Sequence, residues 1–155
     1  MKRLIIVQCG GAMIWDTQPD AGPTPARDAY TSVYFRLNRE YAEKFGDHWV
    51  VLSAKYGFVE PDFPIPHNYN VTFKRQRSNP ISVRQLRDQV RAAKLARSGL
   101  VEVLGGLDYY GTVKDAFAGT DANLRWAFQG LKGIGFFMQR VRRAIDEGRP
   151  ISPSP

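Results

Sequence analysis

The sequence predicts an α/β protein: a small, mostly parallel sheet flanked by helices, with a C-terminal helical part that contains a helix-hairpin-helix-like turn. Three observations predict it. The runs 4–7 and 49–52 are continuously apolar and of strand length, and 100–104 is apolar but for Glu102, the pattern of strands covered on both faces. Each ends abruptly in small residues, at Cys9-Gly10-Gly11, Ser53-Ala54 and Gly105-Gly106. Segments of helical periodicity separate them, as crossovers between parallel strands require.

At 155 residues and 43% hydrophobic content the chain suits one α/β domain, residues 1–149. A Pro/Ser-rich tail, 150–155, is expected to stay disordered. No apolar run reaches membrane-spanning length, and no membrane partner is expected. The start reads as a first strand and not a leader, because its apolar stretch stops at Gln8 and Cys9. A single cysteine excludes an internal disulfide framework and suits a reducing cytoplasm. With only two histidines besides, no closed structural metal site is expected, and no cofactor. The formal charge of +7 favours an anionic partner: nucleic acid, a phosphorylated small molecule or an acidic surface.

Taken in order, the first strand leads into Cys9-Gly10-Gly11-Ala12, a small-residue turn that lets backbone N–H groups approach a ligand. It has neither the dinucleotide nor the P-loop spacing. Residues 16–26, with three prolines and a glycine, read as a surface loop or lid. Thr31 or Ser32 caps a helix to Phe45 that ends at Gly46. Its apolar stripe is Tyr34, Leu37, Tyr41 and Phe45, while Arg39, Glu40, Glu43 and Lys44 face water. Tyr30 and Arg36 fit neither face and are directed to a cleft.

The second strand delivers Ser53, Lys55, Tyr56 and Gly57 to the carboxyl edge of the sheet, followed by a Pro61-Asp62 turn. The connection 60–80 is long for a compact domain and carries His67 and Tyr69, then Lys74, Arg75 and Arg77. Ser82 caps a basic helix assigned to 82–98, with Val83, Leu86, Val90 and Ala93 inward. Arg84, Arg87, Arg91 and Lys94 share one face, interrupted only by Asp88. A solvated face usually mixes signs, so this one reads as a phosphate-tracking surface.

The third strand ends at Gly105-Gly106, with Asp108 and Tyr109 beside it. Three strand ends thus bring Cys9 and Gly10, Ser53 and Lys55, and Asp108 and Tyr109 toward one crevice. The C-terminal part, 109–148, reads as helical, in segments 112–118, 121–130 and 136–147. Between the last two, the Gly130–Gly135 stretch is similar to a helix-hairpin-helix turn, in which Lys132, Gly133 and Gly135 approach a phosphate and Arg140 adds charge. An ordinary glycine-rich helix connection is the alternative.

Four stretches together carry a family resemblance: Cys9-Gly10, Pro25-Ala26-Arg27-Asp28-Ala29-Tyr30-Thr31-Ser32-Val33-Tyr34-Phe35, Leu52-Ser53-Ala54-Lys55-Tyr56-Gly57 with Pro61-Asp62, and Tyr69-Asn70-Val71-Thr72. They resemble a group of small bacterial, archaeal and phage proteins related to the peroxide-stress protein YaaA. The resemblance implies an α/β fold, association with DNA and a helix-hairpin-helix element, with some relatives linked to chemistry on nucleobases. The chain departs from the pattern at Met13, where the group often has lysine, and at Asn70, where many members have aspartate.

The leading functional expectation is a nucleic-acid-binding protein, DNA ranked ahead of RNA, that acts on a base by N-glycosidic cleavage or base exchange. Such a bond breaks through a positively charged sugar, which calls for a carboxylate and for donors to the departing base. Asp108 is the expected carboxylate, with Asp28 and Asp62 as rivals, and Ser53, Lys55 and Tyr109 complete the catalytic set. Cys9, Gly10, Tyr30, Tyr34, Arg36, Tyr56, Gly57, Asp62 and Tyr69 are expected to line the base pocket. Two alternatives stand beside it: a non-catalytic DNA-binding stress or protection protein, and an enzyme of free nucleosides or nucleotides.

Overall fold

The computed structural model describes residues 2–152. Its centre is a five-stranded sheet of β1 (Arg3–Gln8), β3 (His48–Ser53), β4 (Gly57–Val59), β6 (Leu100–Leu104) and β7 (Asn123–Trp126), in the order β4-β3-β1-β6-β7. All neighbours are parallel except β4, which turns back antiparallel on β3. A two-stranded ribbon, β2 (Thr24–Pro25) with β5 (Pro64–Ile65), lies outside the sheet. The helices are α1 (Ala26–Ala29), α2 (Val33–Phe45), α3 (Val83–Ala92), α4 (Leu107–Ala116) and α5 (Ile134–Glu147).

These three runs form the three central strands because both faces of each are covered. Leu4, Ile5, Ile6 and Val7 of β1 have no exposed surface at all. Helix α2 packs on α5, and α3 and α4 pack on each other; the right-handed rule for parallel crossovers assigns the two pairs to opposite faces of the sheet. Ser32 caps α2 by accepting the Phe35 N–H at 3.1 Å. Ser82 and Gln85 form a reciprocal capping box at the start of α3.

The C-terminal part departs from the helical expectation. Residues 123–126 form a strand where a helix over 121–130 was expected, with Val101 opposite Leu124 and Glu102 opposite Arg125. The open backbone edge of β6 needs hydrogen-bond partners, and supplying them outweighs the segment's helical pattern. The Gly130–Gly135 turn therefore joins a strand to α5, and it is not a helix-hairpin-helix. Helix α4 starts at Leu107, earlier than expected. The basic helix stops at Ala92 instead of 98, because Lys94 takes a left-handed φ of 55° before a 3-10 turn, Leu95–Ser98.

The tail expectation also changes. Ile151 is buried, its N–H donates to the Tyr41 hydroxyl at 3.0 Å, and its carbonyl accepts from Arg125 at 3.0 Å. The rest of the expected disordered tail, 153–155, lies outside the described residues.

One buried carboxylate ties these parts together. Glu102, in the middle of β6 and fully buried, accepts from Arg3 of β1 at 3.3 Å, Arg125 of β7 at 3.0 Å and the Tyr41 hydroxyl of α2 at 2.7 Å. Removing it strands two mostly buried guanidinium groups. Glu102→Ala should cost on the order of 3 kcal/mol in urea unfolding. By contrast, Glu147→Ala, at the exposed Arg143–Glu147 pair, should cost less than about 1 kcal/mol. Equal costs would show that the buried cluster contributes no more than a surface pair.

Candidate functional site

From β1 the chain crosses to β3 on one side, and from β6 it crosses to β7 on the other. The carboxyl ends of β1 and β6 therefore flank a topological switch point, where open α/β sheets bind ligands. The backbone is close-packed there. A Cβ on Gly105 would sit 2.9 Å from the Gln8 Cβ, and the Gly106 N–H donates to Gln8 Oε1 at 2.7 Å. On the α2 side, a Cβ on Gly10 would meet the Ser32 hydroxyl at 3.1 Å.

Beside this point lies a buried hydroxyl cluster. Ser53 Oγ accepts the N–H groups of Lys55 at 3.2 Å and Tyr56 at 3.1 Å. With both lone pairs engaged, its own O–H donates to the Tyr69 hydroxyl at 2.7 Å. Tyr69 and Tyr30 share a further, very short hydroxyl contact. Cys9 Sγ lies 3.7 Å from the Tyr109 hydroxyl, which Thr72 also reaches. Ser53, Cys9, Tyr30 and Tyr109 are all buried.

Burial sets the protonation of the cluster. It pushes the Cys9 thiol above its ordinary range, more than the hydrogen bonds from Ala54, Tyr109 and Tyr69 pull it down. The hydroxyls of Tyr30, Tyr69 and Tyr109 are pushed up as well, first by burial and then by the nearby thiol. The cluster is thus neutral and protonated near pH 7. It is suited to donating hydrogen bonds and unsuited to nucleophilic attack by sulfur.

The 60–80 connection folds over the strand ends and closes the site with aromatic rings. Tyr69 meets Tyr56 edge-on at 5.5 Å, Tyr56 meets Phe63 at 5.8 Å, and Phe73 meets Tyr109 at 5.1 Å between centroids. The exposed Lys55 ammonium sits 5.5 Å from the Tyr56 ring and 5.8 Å from that of Tyr69. Asp16 ties the 16–26 loop to this connection, accepting from Asn68 at 3.3 Å and from the Met13 N–H at 2.8 Å.

Of the residues expected at the site, Cys9, Gly10, Tyr30, Ser53, Lys55, Tyr56, Tyr69 and Tyr109 come together. Gly57 lies one step away, where φ is +83° and a Cβ would meet the Gln89 amide at 2.1 Å. Others stand apart. Asp108 is exposed in the first turn of α4, and its carboxylate takes no part in the network. Asp62 and Arg36 are exposed, Asp28 pairs with Arg27 and Arg39, and the Tyr34 ring packs against Phe128.

The expected phosphate contacts divide in the same way. Arg84 is exposed on α3, while Arg87, Arg91 and Lys94 line a cavity between α3 and α4. Arg140 donates to the carbonyls of Ala127 and Gln129, a structural task. Lys132, Gly133 and Gly135 are exposed around the start of α5. Met13 is buried beside Tyr30, and Asn70 is exposed.

Sequence reasoning missed Gln8, Asp16, Thr72 and Phe73 and gave no role to Lys74, Arg75 and Arg77, which follow Phe73 directly. Gln8 had a signal, being a polar residue that ends an apolar strand. Thr72 stood in the Tyr69-Asn70-Val71-Thr72 stretch but was given no role, and Phe73 had no signal, since nothing periodic marks it.

The thiol supplies a test. A group whose folded pKa is raised holds a proton that the unfolded chain gives up, so stability is lost as pH rises above the ordinary thiol value of about 8.5. Urea midpoints should fall between about pH 8 and pH 10, and less steeply in Cys9→Ala. Native protein at pH 7.5 should resist thiol reagents, with one thiol reacting per chain on unfolding. Rapid native labelling would contradict the buried, protonated state.

Compared with known proteins, residues 17–142 match a family described as a family of unknown function (DUF6884). The chain is 40% identical over 147 residues to the uncharacterized protein YfjM of Bacillus subtilis (strain 168), covering 95% of this chain and 97% of that protein. No solved structure matches it significantly. The matched span carries Tyr30, Ser53, Tyr69 and Tyr109 together with most of the sheet, and the chain belongs to the family of unknown function DUF6884.

Proposed function

We propose that the strand-end cluster receives a nucleobase carried by DNA or RNA, DNA ahead of RNA, and that the protein acts on that base by N-glycosidic cleavage or base exchange. The observation that carries this reading is the Ser53-Tyr69-Tyr30 hydroxyl chain beside the switch point, faced by the rings of Tyr56 and Tyr69. Rings supply stacking surface for a base drawn out of its strand, and protonated hydroxyls supply donors to its ring and keto atoms. Lys55 is the cation for a phosphate or a departing base. The carboxylates offered for the chemistry are Asp108, exposed in the turn before Tyr109, and Asp16, tied to Asn68 of the covering connection. Lys74, Arg75 and Arg77, exposed beside Phe73, supply the backbone contacts.

The motif likeness to the YaaA group and a cytoplasmic location belong to the same proposal. A buried, reduced thiol suits that compartment, and no helix among the described residues is long and apolar enough to cross a membrane.

A second reading, an enzyme of free nucleosides or nucleotides, is favoured by one observation. The cations of α3 converge at the far end of the sheet, beside the start of β6, so they do not extend the base site into a track for a polymer. The non-catalytic DNA-binding reading loses its hairpin, because the element directly before the Gly130–Gly135 turn is strand β7.

The test is fluorescence anisotropy with duplex DNA, single-stranded DNA and tRNA across a salt series. Steep binding to at least one polymer is expected, with a slope in log–log form reduced by about 2 to 3 in the Lys74→Ala/Arg75→Ala/Arg77→Ala variant. Mass spectrometry should then detect a released base with wild type and little with Asp108→Ala or Asp16→Ala. Absence of polymer binding at low salt, with mononucleotide binding lost in Tyr69→Ala, would replace this reading with the second.

A further inference from the structure

We propose that the cavity between α3 and α4 is a separate anion site that takes a compact ligand with two or more linked phosphates. The cavity holds about 470 Å³ and is lined by Arg87, Arg91, Lys94 and Arg97 above an apolar floor of Val90 and Ala116. Asp121 is the single carboxylate in its wall. Among the described residues none of the four cations makes a salt bridge, although other arginines of the chain do. Four unpaired cations facing one concave space repel each other, and a bound polyanion relieves that repulsion.

The backbone gathers these cations in a way that an uninterrupted helix would not. A continuous helix over 82–98 would spread them along its length as a stripe suited to an extended polymer. Instead the left-handed Lys94 ends α3, and the Leu95–Ser98 turn brings Arg97 into the wall of the cavity that Arg87 and Arg91 line. The Arg87 Nε donates to the Asp115 carbonyl at 3.0 Å, which fixes its stem and leaves its Nη groups without a partner among the described residues. The four cations thus share one cavity of limited size, which suits a short ligand. Tripolyphosphate carries no base, so the inference does not depend on the strand-end reading.

The experiment is isothermal titration of the full chain with inorganic tripolyphosphate and with a nucleoside triphosphate, at low and moderate salt without added metal. One saturable site is expected. Arg91→Ala/Arg97→Ala should weaken it at least about tenfold, the scale for losing charge-assisted hydrogen bonds. Arg142→Ala/Arg143→Ala on the exposed face of α5, and Tyr69→Phe at the strand ends, should leave it unchanged. Circular dichroism melts check that each variant folds. Equal affinity for the two ligands assigns the phosphates as the whole ligand, and tighter nucleotide binding assigns the apolar floor to the base; both support the site. No saturable binding by the folded wild type overturns the proposal. So does equal weakening by the α5 pair, or binding only to DNA with affinity that grows with duplex length.

Discussion

The architecture depends on a carboxylate that water does not reach. Glu102 sits where an apolar side chain would be expected, and an unpaired charge there would be very costly. Two guanidinium groups and a phenol offset that cost, and each arrives from a different part of the chain. Strand β1, strand β7 and helix α2 must all be in place before the charge is satisfied. The arrangement also fixes register. Arg125 lies opposite Glu102, and a slip of one residue would turn it to the other face and bring Leu124 or Trp126 to the carboxylate. Ile151 extends the same tie to the last turn of the chain through Tyr41 and Arg125.

That framework separates the chemistry into two regions. At the carboxyl ends of the strands the buried groups are neutral and hydrogen-bonded: a serine, three tyrosines and a thiol. Charge lies outside them, at Lys55 and in the 74–77 segment, or at the other end of the sheet in the α3–α4 cavity. A buried neutral cluster keeps its geometry across a wide pH range, whereas exposed cations respond to salt. Recognition at the strand ends and attraction of anions are therefore governed by different variables.

How much of this was legible in the sequence follows from how far each cause reaches along the chain. Strands buried on both faces show runs dominated by apolar residues, so β1, β3 and even β6 with its Glu102 were readable, as were the serine caps of α2 and α3. Strand β7 was not. Its four residues are half-buried or exposed and bond along one edge only, and the partner of Arg125 lies 23 residues away. The end of α3 was hidden because Lys94 fits the charged stripe it interrupts. Strand-end logic brought Cys9, Ser53 and Tyr109 toward one place, and Tyr30 and Tyr69 were added from a misfit on the α2 face and from the length of the 60–80 connection. It did not settle Asp108, since position beside a glycine turn says nothing about which way a first-turn side chain points.

The two backbone amides that fill the lone pairs of Ser53 have a consequence beyond local order. They fix the first link of the cluster, so the Ser53 O–H points at the Tyr69 hydroxyl. Reversing that link would leave an amide without an acceptor, which costs more than a hydroxyl rotation gains. Tyr69 therefore keeps its own proton to give, either to Tyr30 or to the Cys9 sulfur that it also reaches. The cluster joins one fixed link to one movable proton, so a small rotation of hydroxyls changes whether it offers a donor or an acceptor.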